Sequence, residues 1–219
     1  MKKLIVIGAG GLAKEVVWLA QECGYQIFGL LDDNTQMLGQ QIMGAKVLGT
    51  AANWVDYSDC HFIIAIGSPR IRYVVHEKML QTAPQGSSPQ FATLIHPSVI
   101  KSSSVSIGEG SIIFPGCVLT VEVSIGRHTV LNPSNTVSHE SSIGDFVTLA
   151  PMAAIAGNVT LEDFTEVGIG AAIRQGLTIA QGGMLGMGGV QTKDIPENTV
   201  FVGNPAKPLK TLPAVETKC

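Results

Sequence analysis

The sequence predicts two structures in series, an α/β Rossmann-like domain followed by an all-β parallel β-helix built from hexapeptide repeats. Two observations carry this expectation. From Ile107 to Leu185 an aliphatic residue occupies every sixth position without a miss, fourteen in all. Upstream of that repeat, apolar runs suited to buried parallel strands alternate with glycine turns and helical patterns.

The repeating half is the less ambiguous. Its aliphatic series is Ile107, Ile113, Leu119, Ile125, Leu131, Val137, Ile143, Leu149, Ile155, Leu161, Val167, Ile173, Ile179 and Leu185. A helix repeats every 3.6 residues and a strand every 2, so neither predicts a period of six. A parallel β-helix does, because each short strand sends one aliphatic side chain into a shared interior. Four residues after each aliphatic, twelve of the fourteen positions are small or β-branched, the exceptions being Asn135 and Leu177. That suits a crowded inward site near a tight corner. Glycine follows the aliphatic at Gly108, Gly126 and Gly144, a spacing of 18, so three hexads make one coil and the cross-section is triangular.

The N-terminal third reads differently. Leu4-Ile5-Val6-Ile7 is a continuous apolar run, as expected of a strand covered on both faces. Gly8-Ala9-Gly10-Gly11 turns the chain, and Leu12, Val16, Leu19, Ala20 and Cys23 mark a helical stripe ending before Gly24. Ile27 to Leu31 is a second strand closed by Asp32-Asp33-Asn34, and Phe62 to Ile66 a third, followed by Gly67. Ser68-Pro69 supplies an N-cap and a first helical residue for a helix through about Leu80. These elements place a Rossmann-like domain over residues 1–85 and the solenoid with its tail over 86–219. Gln90 to Ile95 reads as a strand entering the solenoid, and Lys101 breaks the repeat register, predicting an irregular first coil.

Gly8, Gly10 and Ala13 fit the G-x-G-x-x-G/A fingerprint, with acids at Asp32 and Asp33 ending the second strand. A glycine turn at a helix N-terminus favours a phosphate or another anion, and either acid could accept hydrogen bonds from a ribose. About 85 residues supply only one mononucleotide-type half. A nucleotide-sugar, NAD and a purely structural turn all remain open on these residues alone.

Composition narrows the classes. The net charge is −3, which provides no electrostatic footprint for nucleic acid or an anionic membrane. No apolar run reaches the roughly 18–20 residues of a membrane span. The opening residues superficially resemble a signal peptide, but Gly8 to Gly11 and then Lys14-Glu15 cut the apolar stretch short. Cys23, Cys60, Cys117 and Cys219 show no paired metal spacing and read as free thiols in a reducing cytoplasm.

Five histidines are candidates for chemistry. His61 and His76 read as structural, His96 as a turn residue before Pro97, and His128 as a solvent-facing corner. His139 differs because Asn132, Ser134, Asn135, Ser138, Glu140 and Ser141 surround it in sequence.

The chain resembles the bacterial sugar O-acyltransferases of the sialic acid O-acetyltransferase type, and especially their relatives that N-acetylate nucleotide-linked 4-amino sugars. The residues that carry the likeness run nearly end to end. They are Gly8-Ala9-Gly10-Gly11 with Ala13 to Val16, Leu31-Asp32-Asp33, Ala65-Ile66-Gly67 with Arg72, and Ile95-His96-Pro97. They continue with Val130-Leu131-Asn132, His139-Glu140, Ile143-Gly144-Asp145, Ala156-Gly157-Asn158 and Gly203 to Lys207. The resemblance implies a left-handed β-helix, against the general preference for right-handed crossovers. It also implies a homotrimer with acetyl-coenzyme A held between adjacent solenoids, and no metal.

By that resemblance His139 is the general base and Glu140 raises its basicity. An amine attacking a thioester must shed a proton, and imidazole as a class titrates near working pH. Consecutive strand residues point to opposite faces, so the pair can cooperate only at a corner. Gly157, one coil beyond, matches the position whose N–H polarises the thioester carbonyl. Gly10, Gly11, Leu12, Asp32, Asp33, Gly67 and Asn132 fall at acceptor-binding positions, and Thr148, Gly157, Ile169 and Met187 at coenzyme A positions. Gly168 and Gly186 permit close approach there, and Lys193 and Lys207 could meet the phosphates. Two departures bear on the acceptor and donor: Leu12 and Thr148 stand where the family commonly has histidine.

The function expected is a cytoplasmic acetyltransferase that moves an acetyl group from acetyl-coenzyme A to the amino group of a nucleotide-linked sugar. O-acetylation of sialic acid or another sugar hydroxyl is the alternative enzyme, and a sugar-binding scaffold trimer the alternative outside enzymes.

Overall fold

The computed structural model describes residues 2–215, so Cys219 lies outside the described residues. The chain divides into two compact units after Pro97.

The first unit is a parallel sheet flanked by helices. Its strands are β1 (Lys3–Ile7), β2 (Gln26–Leu31), β3 (Gln41–Ile42), β4 (Ala45–Gly49), β5 (His61–Ile64) and β6 (Gln90–Phe91). Their order is β3-β4-β2-β1-β5-β6, with only β3 antiparallel to its neighbour. Leu4 to Ile7 are fully buried, as a run without polar alternation requires. Helix α1 (Gly11–Glu22) buries Ala13, Val16, Val17, Leu19 and Ala20, a stripe at helical spacing. Helix α2 (Pro69–Gln81) begins on Pro69 and buries Arg72, His76 and Met79. The chain passes to opposite sides of β1, to β2 and to β5. That reversal is where open α/β sheets leave a crevice at their strand ends.

Two features of this unit differ from the sequence reading. The β3–β4 hairpin and the 3-10 segment Ala51–Tyr57 were not anticipated, because their short strands carry little apolar periodicity. Gln90 to Ile95 is two strands rather than one. Phe91 pairs with Phe62 at the edge of the first sheet, whereas Leu94–Ile95 takes the end position of the solenoid's eight-stranded sheet, as expected of a segment entering it.

The second unit is a left-handed parallel β-helix. Two-residue strands recur every six residues, and each pairs in parallel with the strand 18 residues on, as Ile125 does with Ile143 and Ile143 with Leu161. Thirteen of the fourteen repeat aliphatics are buried, Ile107 being half-buried. Lys101 does not stop the pairing, since Ile100–Lys101 still aligns with Val118–Leu119.

Corners follow the strands, and their backbone is regular where their sequence is not. A residue with positive φ falls at every sixth position from Gly110 to Gly188, and eight of these fourteen are not glycine. Three edges result. The first comprises 108–111, 126–129, 144–147, 162–165 and 180–183, the second 114–117, 132–135, 150–153, 168–171 and 186–189, and the third 120–123, 138–141, 156–159 and 174–177.

Polar side chains beside the corners point inward and bond across coils. Ser141 Oγ donates to Ala156 O at 3.0 Å, and Asn135 Nδ2 to Ala150 O at 2.7 Å. They replace solvent for carbonyls that the turns would otherwise strand. His128 does not face solvent as expected: it is 1% exposed, its ring stacked 5.1 Å from Phe146, which stacks in turn on Phe164. Gly110 leaves the room above, since a Cβ there would lie 2.3 Å from the His128 ring. The ring continues an aromatic column with Phe146 and Phe164, which is why burial wins over its polarity. A hairpin of Thr199–Gly203 and Ala206–Thr211 follows the last coil.

Candidate active site

Each unit holds a candidate site. In the first, a cavity of about 470 Å³ opens at the C-terminal ends of β1, β2 and β5, a size ordinary for a small-molecule site. It is bordered by the Gly8–Leu12 turn, Asp32, Asp33 and Gly67, with an apolar wall from Ile66, Ile71 and Val74. Six of the seven expected acceptor-binding residues therefore line one cavity, and Asn132 lies in the other unit.

The glycines divide by role. Gly8 has φ +107°, and a Cβ there would press on Ala65 O at 3.0 Å, so it makes the turn itself. Gly10, Gly11 and Gly67 have nothing within 4 Å of an added Cβ. They border open space where a ligand can approach the backbone. Helix α1 starts from Gly10 with no side-chain cap and no acid in its first turn, so its leading N–H groups are offered to an anion.

The two acids are already partly engaged. Asp32 accepts from Ala9 N–H at 2.6 Å and Asn34 N–H at 2.8 Å, which fixes the glycine turn against the end of β2. Asp33 accepts from Ala51 N–H at 2.9 Å and Lys78 Nζ at 2.7 Å. Burial pushes the Asp33 carboxyl up, but Lys78 and the Ala51 amide outweigh it and hold the group below the usual carboxylate range. Carboxylate oxygens have capacity for further donors, so both can still receive a ribose hydroxyl. Arg72 is fully buried and donates to Ile66 O at 2.6 Å and Gly67 O at 3.1 Å. It therefore positions the Gly67 wall of the cavity, a role its sequence context did not reveal.

In the second unit, a cleft of about 770 Å³ runs along the third edge, lined by His139, Glu140, Gly157, Asn158, Arg174 and Gln175. Both His139 and Glu140 are turn residues, and Glu140 has φ +59°. The left-handed corner lifts the restriction that separates neighbours in a strand. His139 Nδ1 stands 3.0 Å from Glu140 Oε2. A carboxylate only accepts, so Nδ1 carries the proton and the Nε2 lone pair is left for the cleft.

Gly157 lies one coil beyond His139 on the same edge. A Cβ at this position would stand 2.4 Å from His139 Cε1 and Nε2, so any larger residue would push the ring out of its place. Asn158 N–H donates to His139 O at 2.8 Å and holds the two coils in register. The Gly157 N–H itself makes no hydrogen bond among the described residues. It is thus a free donor next to a base, the pairing a thioester carbonyl needs.

The remaining expected donor-site residues, and Asn132 of the expected acceptor-binding set, are on other parts of the prism. Asn132 is half-buried on the second edge, with Nδ2 donating to Leu149 O at 2.8 Å. Ile169 and Met187 are exposed on that same edge, and Thr148 lies in the strand leading to it. One chain does not bring these four to His139. Arg174 and Gln175 were missed, since a lone arginine in a repeat has no signal in its own neighbourhood. The 18-residue frame places Gln175 on the His139–Gly157 column and Arg174 directly before it.

Comparison with known proteins agrees with this architecture. A family profile described as the PglD N-terminal domain matches residues 3–79. The solved structure of PerB from Caulobacter crescentus in complex with CoA and GDP-perosamine is similar, with 28% identity and a TM-score of 0.86. That match covers 96% of this chain and 98% of PerB. The acetyltransferase domain of PglB from Neisseria gonorrhoeae FA1090, in complex with acetyl coenzyme A, is 33% identical with a TM-score of 0.72, over 95% of this chain and 99% of that domain. Among curated proteins, the uncharacterized protein L142 of Acanthamoeba polyphaga mimivirus is 31% identical over 108 residues, 49% of this chain and 20% of that protein. The chain thus spans about a fifth of the length of this curated relative. Fold and comparisons together make the protein an acyltransferase of the hexapeptide-repeat superfamily. Within it, the chain belongs to the bacterial sugar acetyltransferases.

Proposed function

We propose that the protein transfers the acetyl group of acetyl-CoA to the amino group of a nucleotide-linked amino sugar. The observation that carries this reading is the third-edge corner, where a histidine backed by a carboxylate stands over a glycine whose N–H is free. PerB, with its bound CoA and GDP-perosamine, supports the substrate class.

The step follows from the corner. The sugar amine attacks the thioester carbonyl carbon, forming an N–C bond, while His139 Nε2 accepts the amine proton. Gly157 N–H steadies the negative charge developing on the carbonyl oxygen. The C–S bond then breaks, and the departing CoA sulfur takes the proton from His139. No protein side chain needs to be acylated. Glu140 holds the ring and stabilises the imidazolium formed in passing. The cavity at the strand ends of the first unit receives the nucleotide, with Gly10 and Gly11 at its phosphates and Asp32 and Asp33 at its ribose. Leu12 contributes an apolar wall there instead of a hydrogen-bonding ring.

Acetyl-CoA is read as lying along Ile169 and Met187 of one copy and Gly157 of its neighbour. Support comes from the division of the expected donor residues between two prism edges, and from the exposed Met152, Ile169 and Met187 that line the second. A homotrimer closes that gap. Among the described residues no helix is long and apolar enough to cross a membrane, and the free thiols of Cys23, Cys60 and Cys117 support a reducing, cytoplasmic setting.

The test is His139→Ala, assayed with a panel of 4-amino nucleotide-sugars and with free sialic acid. Turnover should fall by roughly 10²–10⁴ while CoA binding, measured by calorimetry, persists. Turnover near the wild-type level would remove His139 as the base. Acetylation of sialic acid but of no amino sugar would replace the acceptor class.

A further inference from the structure

Along the third edge, the position one before His139 on each successive coil holds Ser138, Ala156 and then Arg174. Arg174 is exposed and lines the same cleft as His139. Its backbone is pinned, the N–H donating to Gln191 O at 3.1 Å. Its guanidinium has no hydrogen-bond or ion-pair partner among the described residues. The solenoid's other arginine, Arg127 on the first edge, behaves in the opposite way. Its Nε and Nη2 reach Asp145 Oδ2 at 3.0 and 2.8 Å.

Charge in the cleft is equally uneven. Glu140 is its one anionic side chain, and that carboxylate is committed to His139 Nδ1. The fixed cation therefore faces a cleft whose own residues do not neutralise it. Successive coils stand roughly 4.8 Å apart, so Arg174 leaves the backbone one coil beyond Gly157, with a long side chain to cover the space between. A guanidinium presents several N–H donors in a plane and suits the oxygens of a phosphate better than an ammonium would.

We propose that Arg174 is a phosphate-binding residue of the transfer cleft, taking diphosphate oxygens from one of the two nucleotide-bearing substrates. The proposal rests on the acetyl-transfer reading above and adds a residue to it. The shared chemistry is a diphosphate near the reacting centre, supplied by CoA or by the nucleotide-sugar. Lys193 is exposed one coil further along the His139 column and extends the positive strip away from Glu140.

Arg174→Gln and Arg174→Lys test this in the full chain, since an exposed side chain with no partner is replaceable without loss of fold. Steady-state rates are measured with acetyl-CoA varied, with the nucleotide-sugar varied, and with S-acetylpantetheine, a donor without phosphates. Arg174→Gln should raise the KM of one nucleotide-bearing substrate about tenfold or more, and Arg174→Lys should recover part of it. A donor penalty that disappears with S-acetylpantetheine assigns the phosphate to CoA, and a penalty confined to the sugar assigns it to the acceptor. Both KM values within twofold of wild type, or a donor-KM penalty that persists equally with S-acetylpantetheine, overturn the proposal. Calorimetric titration of inorganic pyrophosphate reads the residue without turnover: weaker binding to Arg174→Gln supports the role, and equal binding overturns it. Absence of acetyl transfer by the wild type would defeat the acetyl-transfer reading, and the pyrophosphate titration would still judge Arg174.

Discussion

Gly157 lies directly beneath the imidazole of His139, so close that a single added carbon would stand 2.4 Å from its ring. The two residues are 18 apart in sequence and adjacent in space, joined by the hydrogen bond from Asn158 N–H to His139 O. The proposed base and the proposed oxyanion donor are set by one coil-to-coil contact.

Gly157→Ala should therefore tilt or displace the ring without touching the solenoid core. Misplacement of about 1 Å at a reacting group costs on the order of 10²-fold in rate. The expected result is a large fall in kcat with a thermal midpoint close to wild type, measured by steady-state assay and circular dichroism. Unchanged kcat would mean that the ring position does not matter to transfer.

Glu140→Gln isolates the carboxylate from its backbone. Both side chains carry the same left-handed strain at φ +59°, so a rate change reports charge and hydrogen bonding rather than the corner. A general base of the proposed kind is worth roughly 10²–10⁴ in rate, and if Glu140 supports it a loss of at least about tenfold is expected in kcat. Retention of full activity would reduce Glu140 to a turn residue.

The Lys78–Asp33 pair predicts a pH-dependent difference in stability. Asp33 has a lowered folded-state pKa, with burial opposing and Lys78 and Ala51 prevailing. Its contribution is thus present above the ordinary carboxylate pKa and lost as pH falls through the folded value. Lys78→Met should cost up to about 1 kcal/mol at pH 7, because the pair is partly exposed. The gap from wild type should shrink between about pH 5 and pH 3, as urea titrations at each pH would show. A gap that grows on acidification would contradict the sign.

Cys117 faces inward next to the second edge, and burial raises its thiol to about 11. The thiolate is the reactive form, so iodoacetamide at pH 8 should leave Cys117 unmodified in the native protein and label it only in urea. Peptide mass spectrometry resolves it from Cys23, which is half-buried. Rapid native labelling of Cys117 would show that the prism opens locally.

The prism was legible because its core positions repeat in residue type: one buried aliphatic each sixth residue needs no alignment to see. The corners were not, because left-handed backbone at Glu122, His128, Ser134 or Met152 has no common side chain. Asn135 and Ser141 read as part of a polar crowd around His139, whereas both are buried and bond corner carbonyls. The signal that could have placed His128 was the spacing of Phe146 and Phe164, each 18 residues on. The glycine turn and its acids were legible as a cavity rim. Their existing partners, Ala9, Ala51 and Lys78, were not, because those contacts depend on how strands β1, β2 and helix α2 close around the turn.

The threefold cross-section makes the site sensitive to a change that the hydrophobic interior would not register. Deleting one hexad between His139 and Gly157 preserves the inward aliphatic at every sixth residue, and the prism can still close. Everything downstream, however, rotates by one edge, so Gly157, Arg174 and Gln175 leave the column of His139 altogether. Insertions or losses of 18 residues preserve azimuth and only translate groups along the axis. Length variation in such a chain thus has two grammars: six residues keep the fold, and eighteen keep the sentence that the active edge spells.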